Sequence, residues 1–423
     1  MTGRLPSLTS VFAASALVNF ANAVLTTALP VYLADSLENS HHASLLASAY
    51  SAGFLVGCIY GPRLILAFGH VRAFASGGSA LAILILAFTL KTDAFLWIAL
   101  RILSGFAVAI MLSAADSWIN ASTASQNRGH ILGCYGVVLS ASFVLSQYAV
   151  YSFDSARLML GLLLVAAVNV AVLCLSLTTS VLPSVPQAVR LQLSHHLKQS
   201  PSAGLGYMVC GALTSIVLGV MPYFLHVKGI PTKMVAVAVA SVYFGRLLMQ
   251  WPIGKLSDKV DRRLVLTSVS SAAGLLTLGI WILSPGEGQM IGGQLGAGAQ
   301  IFALAGLFVW GGCAFSIYSI AVAHGLDKAR DDEVVGATTT ALLTFAGGAV
   351  VGPLISALAT KLLGDNSVSL LLTVIALLYA ALVAYRYLNT GGLEETKEAI
   401  AYDVPQTSLN LSEVVADPER QAK

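Results

Sequence analysis

The chain has 423 residues, of which 57% are hydrophobic and only 10% are Asp, Glu, Lys or Arg, with a mean hydropathy of +0.80. Soluble domains carry about 25% charged residues, so most of this chain does not face water. A net charge of +3 is too small for a nucleic-acid binder, and nucleic acid is not expected as a partner.

Apolar runs near the length that crosses a bilayer as a helix fall first at 9–34, 43–66, 72–90, 94–117, 130–151 and 158–178. The first run is too long for a signal-peptide core and has no clear small-residue cleavage site, so it is expected to remain as the first membrane helix. Within it Asn19, Asn22 and Thr26 stand at i, i+3 and i+7, on one helical face. Amides in membrane helices face protein or water, so this stripe either lines a cavity or bonds a neighbouring helix. The fourth run holds Arg101 roughly 12 Å in from one end and Asp116 about 22 Å further along, too far apart to pair. Asp116 falls level with the loop that carries Arg63 and Arg72. It is expected to form a gate ion pair with one of them, or to be a titrating carboxylate coupled to proton movement.

Residues 179–203 are polar and broken by Pro183, Pro186 and Pro201, so they read as a loop between two six-helix units, 1–178 and 204–388. His195–His196 in that loop reads as a solvated pair. The second set of apolar runs is 204–226, 234–254, 264–284, 300–323, 335–360 and 367–388. In the second of these, Tyr243, Arg246 and Gln250 share one face. Arg246 lies about 20 Å from one end with about 12 Å left to the other. A charge at that depth needs a partner or a cavity. It either packs against a carbonyl or tyrosine, or contacts an anionic or carbonyl-rich solute, which a guanidinium binds as a fork. Residues 389–423 are acid-rich without apolar periodicity and read as a disordered cytoplasmic tail. The five cysteines all lie in apolar runs without metal-ligand spacing and read as packing residues.

Charge sets the orientation. With both termini and every even-numbered loop inside, Lys91, Arg157, Lys228, Lys233 and Lys361 fall outside, and Arg101 and Arg246 lie in the membrane. The other sixteen of the 23 basic residues fall inside. That asymmetry predicts twelve spans with cytoplasmic termini.

The densest charge cluster, GKLSDKVDRR at 254–263, sits in a short turn between two spans. Its Gly254, Asp258, Asp261, Arg262 and Arg263 are echoed in the first half by Gly57, Gly61, Arg63, Gly69, His70 and Arg72, without the aspartate. Arg101 and Gly105 in LRILSGFAVA, Asp116 in ADSWIN, Asp327 after SIYSIAVAHGL, and Gly348, Gly352 and Pro353 complete the pattern. In order and spacing these strings resemble the major facilitator superfamily, and within it the YcaD-like branch of bacterial transporters. The resemblance covers about residues 10–388. The fifth run, YGVVLSASFVLSQYAV, departs from it by lacking the Gly-xxx-Gly-Pro motif of drug/proton antiporters.

The resemblance implies an all-α integral membrane protein of the cytoplasmic (inner) membrane, with two pseudo-symmetric six-helix bundles rocking about a central site. The expected function is secondary active transport of a small solute, anionic or zwitterionic because the buried charges tilt positive. Efflux of amphipathic compounds is the runner-up, and a non-transporting receptor stands behind it. The expected substrate residues are Arg246, Arg101, Asn19, Asn22, Tyr243 and Gln250. The expected gating residues are Asp258, Arg262, Arg263, Asp116, Arg63, Arg72 and Asp327. No phosphate-binding loop and no clustered His, Asp or Glu argue for an enzyme, a cofactor or a metal. The expected partners are the solute, membrane lipid and a coupling proton, with a monomeric chain.

Overall fold

In a computed structural model the described residues are 5–36, 40–88, 90, 93–123, 128–152, 193–283, 297–329, 333–364 and 367–390. They form helices α1 (Leu5–Ser36), α2 (Ser40–Phe68), α3 (His70–Phe88), α4 (Ala94–Ser122), α5 (Arg128–Ser152), α6 (Leu193–Gln199), α7 (Pro201–Gly219), α8 (Met221–Val227), α9 (Thr232–Ser257), α10 (Arg262–Leu283), α11 (Ala297–Leu326), α12 (Val334–Leu363) and α13 (Ser367–Thr390). Ten stretches among the described residues are long and apolar enough to cross a membrane. They are α1 to α5, α7 continuing into α8, α9, α11, α12 and α13. The run expected at 264–284 is helix α10, outside that set, and the one expected at 158–178 lies outside the described residues, as does the tail beyond 390.

Two departures from the sequence reading have local causes. The run expected at 204–226 is broken at Val220, where α7 ends and α8 begins. Pro222 has no N–H to offer the carbonyl four residues back, and its ring crowds that carbonyl, so the helix restarts rather than continues. The segment expected as a plain loop, 179–203, contains helix α6. There His195 Nε2 lies 3.4 Å from Glu333 Oε1, and His196 stands against Gly336 at the start of α12. These histidines dock the segment between the halves onto α12, rather than forming only a solvated pair.

Packing repeats between the halves. In the first, α4 packs on α2 and α3, and α1 on α5; in the second, α11 packs on α9 and α10, and α7 on α12. The halves meet through α2 with α12 and α5 with α9. Small residues allow the tightest crossings, as lipid-embedded helices require. A Cβ on Gly105 would enter the carbonyl oxygen of Tyr50, and one on Gly53 that of Ile102, so α2 and α4 touch backbone to backbone. Gly245 and Gly311 repeat this between α9 and α11. The α2–α3 turn is a single residue, Gly69 at φ 81°, whose N–H bonds the Ile65 carbonyl at 2.8 Å. We call the side of the molecule that joins α1 to α2 the first-loop side, and the one that joins α2 to α3 the second-loop side.

Candidate functional site

A cavity of about 160 Å³ lies between the halves, lined by α1, α2, α4, α5, α7, α9, α11 and α12. Arg101 is seven residues, roughly 10 Å, from the first-loop end of α4, and Arg246 is about 21 Å from that end of α9. Both reach the cavity.

The first-half wall is one connected cluster. The Thr26 hydroxyl donates to the Asn22 carbonyl at 2.7 Å and receives Arg101 Nη2 at 3.5 Å. Asn22 Nδ2 donates to the Tyr50 hydroxyl at 2.9 Å, and the Arg101 guanidinium lies 4.5 Å above the Tyr50 ring. Asn19, one turn away, donates to its own helix at Ser15 O. Arg101 is only 3% exposed, and its Nε and Nη1 meet no hydrogen-bond acceptor. The α1 stripe therefore does both things its spacing allowed: it lines the cavity and bonds a neighbour.

The opposite wall is aromatic. Phe143 of α5 stacks on Tyr243 of α9 with centroids 4.8 Å apart and planes within 5°. The Arg246 guanidinium lies 4.7 Å from the Phe315 ring centroid and 5.9 Å from that of Phe143. Such contacts pair a cation with the negative ring face. Gln250 is not among the described lining residues; its amide donates to the Ser319 hydroxyl at 2.7 Å, which ties α9 to α11. No Asp or Glu is among the described residues that line the cavity.

Sequence reasoning did not single out Tyr50, Phe143, Phe315, Thr214 or Ser215, all of which line the cavity. Tyr50 and Ser51 were the readable signal, a polar pair beside Gly53 in an apolar run.

Cross-half contacts close the first-loop side of the cavity. His226 Nε2 stands 2.8 Å from Asp35 Oδ1, and Lys233 Nζ is 5.6 Å from the Tyr151 ring centroid. The Ser48 hydroxyl donates to the Val350 carbonyl at 2.9 Å.

On the second-loop side the charged turn folds into three ion pairs made by two arginines. Asp261 precedes α10 as its N-cap: Oδ1 accepts the Arg263 backbone N–H at 2.8 Å, and Oδ2 pairs with Arg263 Nη2 at 2.9 Å. Arg262 lies 2.9 Å from Asp327 and 3.7 Å from Asp258. Burial pushes the Asp261 carboxyl up, but the Arg263 bonds outweigh it and hold it below the usual range. Burial raises the Asp327 carboxyl despite its Arg262 partner, and Asp258 and Asp261 add repulsion. A depressed carboxyl stabilises the fold above its unfolded pKa and loses that as pH falls through its folded pKa. Asp261→Ala is therefore expected to cost about 1 kcal/mol at neutral pH, with the gap to wild type narrowing below roughly pH 4. Thermal unfolding in detergent across that range checks this; a pH-independent gap would contradict it.

Asp116 is fully buried. Tyr135 and Cys58 lie close to it. Arg63 and Arg72, its expected partners, are both exposed, Arg63 with its guanidinium 5.4 Å from the Tyr60 ring centroid.

Residues 11–342 match the sequence profile described as Major Facilitator Superfamily. A relative named "Uncharacterized MFS-type transporter YcaD" from Shigella flexneri is 26% identical over 373 residues, 86% of this chain and 91% of its own length. The protein of that name from Escherichia coli strain SE11 matches to the same extent, at 26% over 373 residues. Among solved structures, the nucleoside transporter NupG superposes with a TM-score of 0.71 at 14% identity, covering 92% of this chain and 99% of its own. A bacterial homolog of the human lysosomal transporter Spinster, inward-facing and unoccupied, gives 0.68 at 12%, covering 92% and 98%. A POT family transporter in complex with 5-aminolevulinic acid gives 0.72 at 11%, covering 90% and 96%. At these identities the structural likeness is one of fold.

Proposed function

Since the chain belongs to the Major Facilitator Superfamily and is a multi-pass membrane transporter, we propose that it moves a small anionic or zwitterionic solute by secondary active, alternating-access transport. The observation that carries the reading is the cavity between the halves, faced by Arg101 and Arg246 with no acidic residue among its described lining. Arg246, Arg101, Asn19, Asn22 and Tyr243 bind the solute, and Gln250 fixes α9 beside them.

Two six-helix bundles, 1–178 and 204–388, move about that site, joined by 179–203. Twelve spans with both termini in the cytoplasm, in the cytoplasmic membrane, follow from the basic-residue asymmetry. The second-loop side is then the cytoplasmic one. Asp258, Arg262, Arg263 and Asp327 form its gate in the second half, with Asp116, Arg63 and Arg72 in the corresponding place of the first. The contacts between Asp35 and His226 and between Tyr151 and Lys233 fit a conformer closed on the opposite side. A proton is the expected coupling ion. Export of amphipathic compounds is the second reading, favoured by the Phe143, Phe315 and Phe345 rings in the same lining.

Alternating access has a direct test at the closed side. With Asp35 and His226 both changed to cysteine, the native cysteines replaced, and the pair bridged by a thiol cross-linker, counterflow in proteoliposomes should fall more than tenfold and recover on reduction. Undiminished counterflow in the bridged protein would sink the alternating-access reading.

A further inference from the structure

The bare nitrogens of Arg101 specify more than positive charge. Resting on the cavity as the transport site, we propose that the solute is a compact organic monoanion with a flat, conjugated body, its carboxylate held by Arg101 and its plane laid against the aromatic wall.

The charge follows from Arg101. A guanidinium does not deprotonate in a protein, and a buried charge without hydrogen-bonded compensation is costly. Its Nη2 reaches Thr26 only at 3.5 Å, and the Tyr50 ring offers a π face but no acceptor along the fork. The Nε and Nη1 are buried and lack acceptors. A carboxylate fills such a fork with two parallel bonds. With no Asp or Glu in the described lining to supply that charge, the solute brings it. A cationic solute would meet two arginines and no counter-charge.

One carboxylate suffices. Arg246 presents its guanidinium to ring faces, with Phe315 at 4.7 Å and Phe143 at 5.9 Å. Of the two, only Arg101 has both Nε and Nη1 buried without an acceptor, so a second anionic group finds no equivalent fork.

Size and shape select the body. The cavity is about 160 Å³, close to the roughly 150 Å³ of an engineered cavity that takes up benzene. One ring with a small headgroup fills it. Phe143 and Tyr243, stacked within 5°, and Phe315, tilted 28° from Tyr243, give the wall flat faces that reward offset stacking. A conjugated ring gains from these faces and from the plane of Arg246, whereas a saturated ring of equal area gains only burial.

The test uses benzoate against three comparators: cyclohexanecarboxylate, benzylamine and succinate. Ser51 lines the cavity, so a Ser51→Cys variant with the native cysteines replaced reports occupancy by protection from a thiol reagent. Benzoate is expected to slow alkylation at least fivefold and to exchange in counterflow. Cyclohexanecarboxylate should protect several-fold less, and benzylamine and succinate not at all. Arg101→Gln should abolish the protection, and Arg101→Lys should leave part of it, since an ammonium keeps the charge without the fork. Should Arg101→Gln not fold, the ligand series on Ser51→Cys alone decides. Protection by benzylamine or succinate in preference to benzoate overturns the solute class while leaving the carrier intact. Equal protection by both ring acids overturns the conjugated body, and no protection by any of the four overturns the proposal outright. The cross-link between residues 35 and 226 tests the carrier reading separately, so the two failures are distinguishable.

Discussion

Arg246→Gln is expected to weaken solute affinity by at least tenfold while leaving a folded protein, with Arg246→Lys falling in between. Arg246 lies near the midpoint of α9 and contacts rings from both halves, Phe143 of α5 and Phe315 of α11. A desolvated contact between the Arg246 cation and the face of a solute ring is worth about 2 kcal/mol, and every 1.4 kcal/mol is a factor of ten in affinity. Glutamine removes the charge and the cationic plane; lysine keeps the charge but loses the flat face. A residue that only held helices together would behave differently: its variants would melt early, and whatever folded would bind as the native protein does. Expression, melting temperature and affinity measured on the same preparations separate the two. Well-folded variants of unchanged affinity would remove Arg246 from the site.

Gly105→Val is expected to be the most damaging single change, abolishing a monodisperse folded preparation. The new side chain would begin inside the carbonyl oxygen of Tyr50 and near the Phe54 nitrogen, which are backbone atoms with nowhere to move. Overpacking in a tight core costs about 1–3 kcal/mol when side chains can shift, and here a helix must shift instead. Because α2 carries Tyr50 and α4 carries Arg101, prising them apart also dismantles the 4.5 Å contact that seats the guanidinium. Gly136→Ala is the control. A Cβ there meets nothing within 4 Å, and alanine's helix propensity should add up to about 1 kcal/mol of stability, so the melting temperature holds or rises. Size-exclusion profiles and melting curves of both variants check the contrast. A well-behaved Gly105→Val protein would contradict the backbone contact.

The sequence by itself determined the helical, membrane-embedded class and the position of most helices, because hydrocarbon admits few other backbone arrangements and imposes a length on each. It also marked Arg101 and Arg246, since an intramembrane arginine needs a partner or a cavity, and the structure brings both to the cavity. The motif 254–263 announced its turn, and the structure then chose the pairings: Asp261 with Arg263, and Arg262 with the distant Asp327. What the tertiary structure alone decided is which faces meet. Tyr50 beneath Arg101, Phe143 against Tyr243, and Asp35 beside His226 each join helices far apart in the chain. Gln250, on the same helical face as Arg246, is drawn off to Ser319, and Asp116 is buried beside Tyr135 while Arg63 and Arg72 are exposed. In water, an apolar stripe marks the face that packs. In a bilayer, lipid and protein interior are equally apolar, so periodicity cannot tell a lipid-facing phenylalanine from one that walls a cavity, and only the packed helices distinguish Phe143 and Phe315 from the rest.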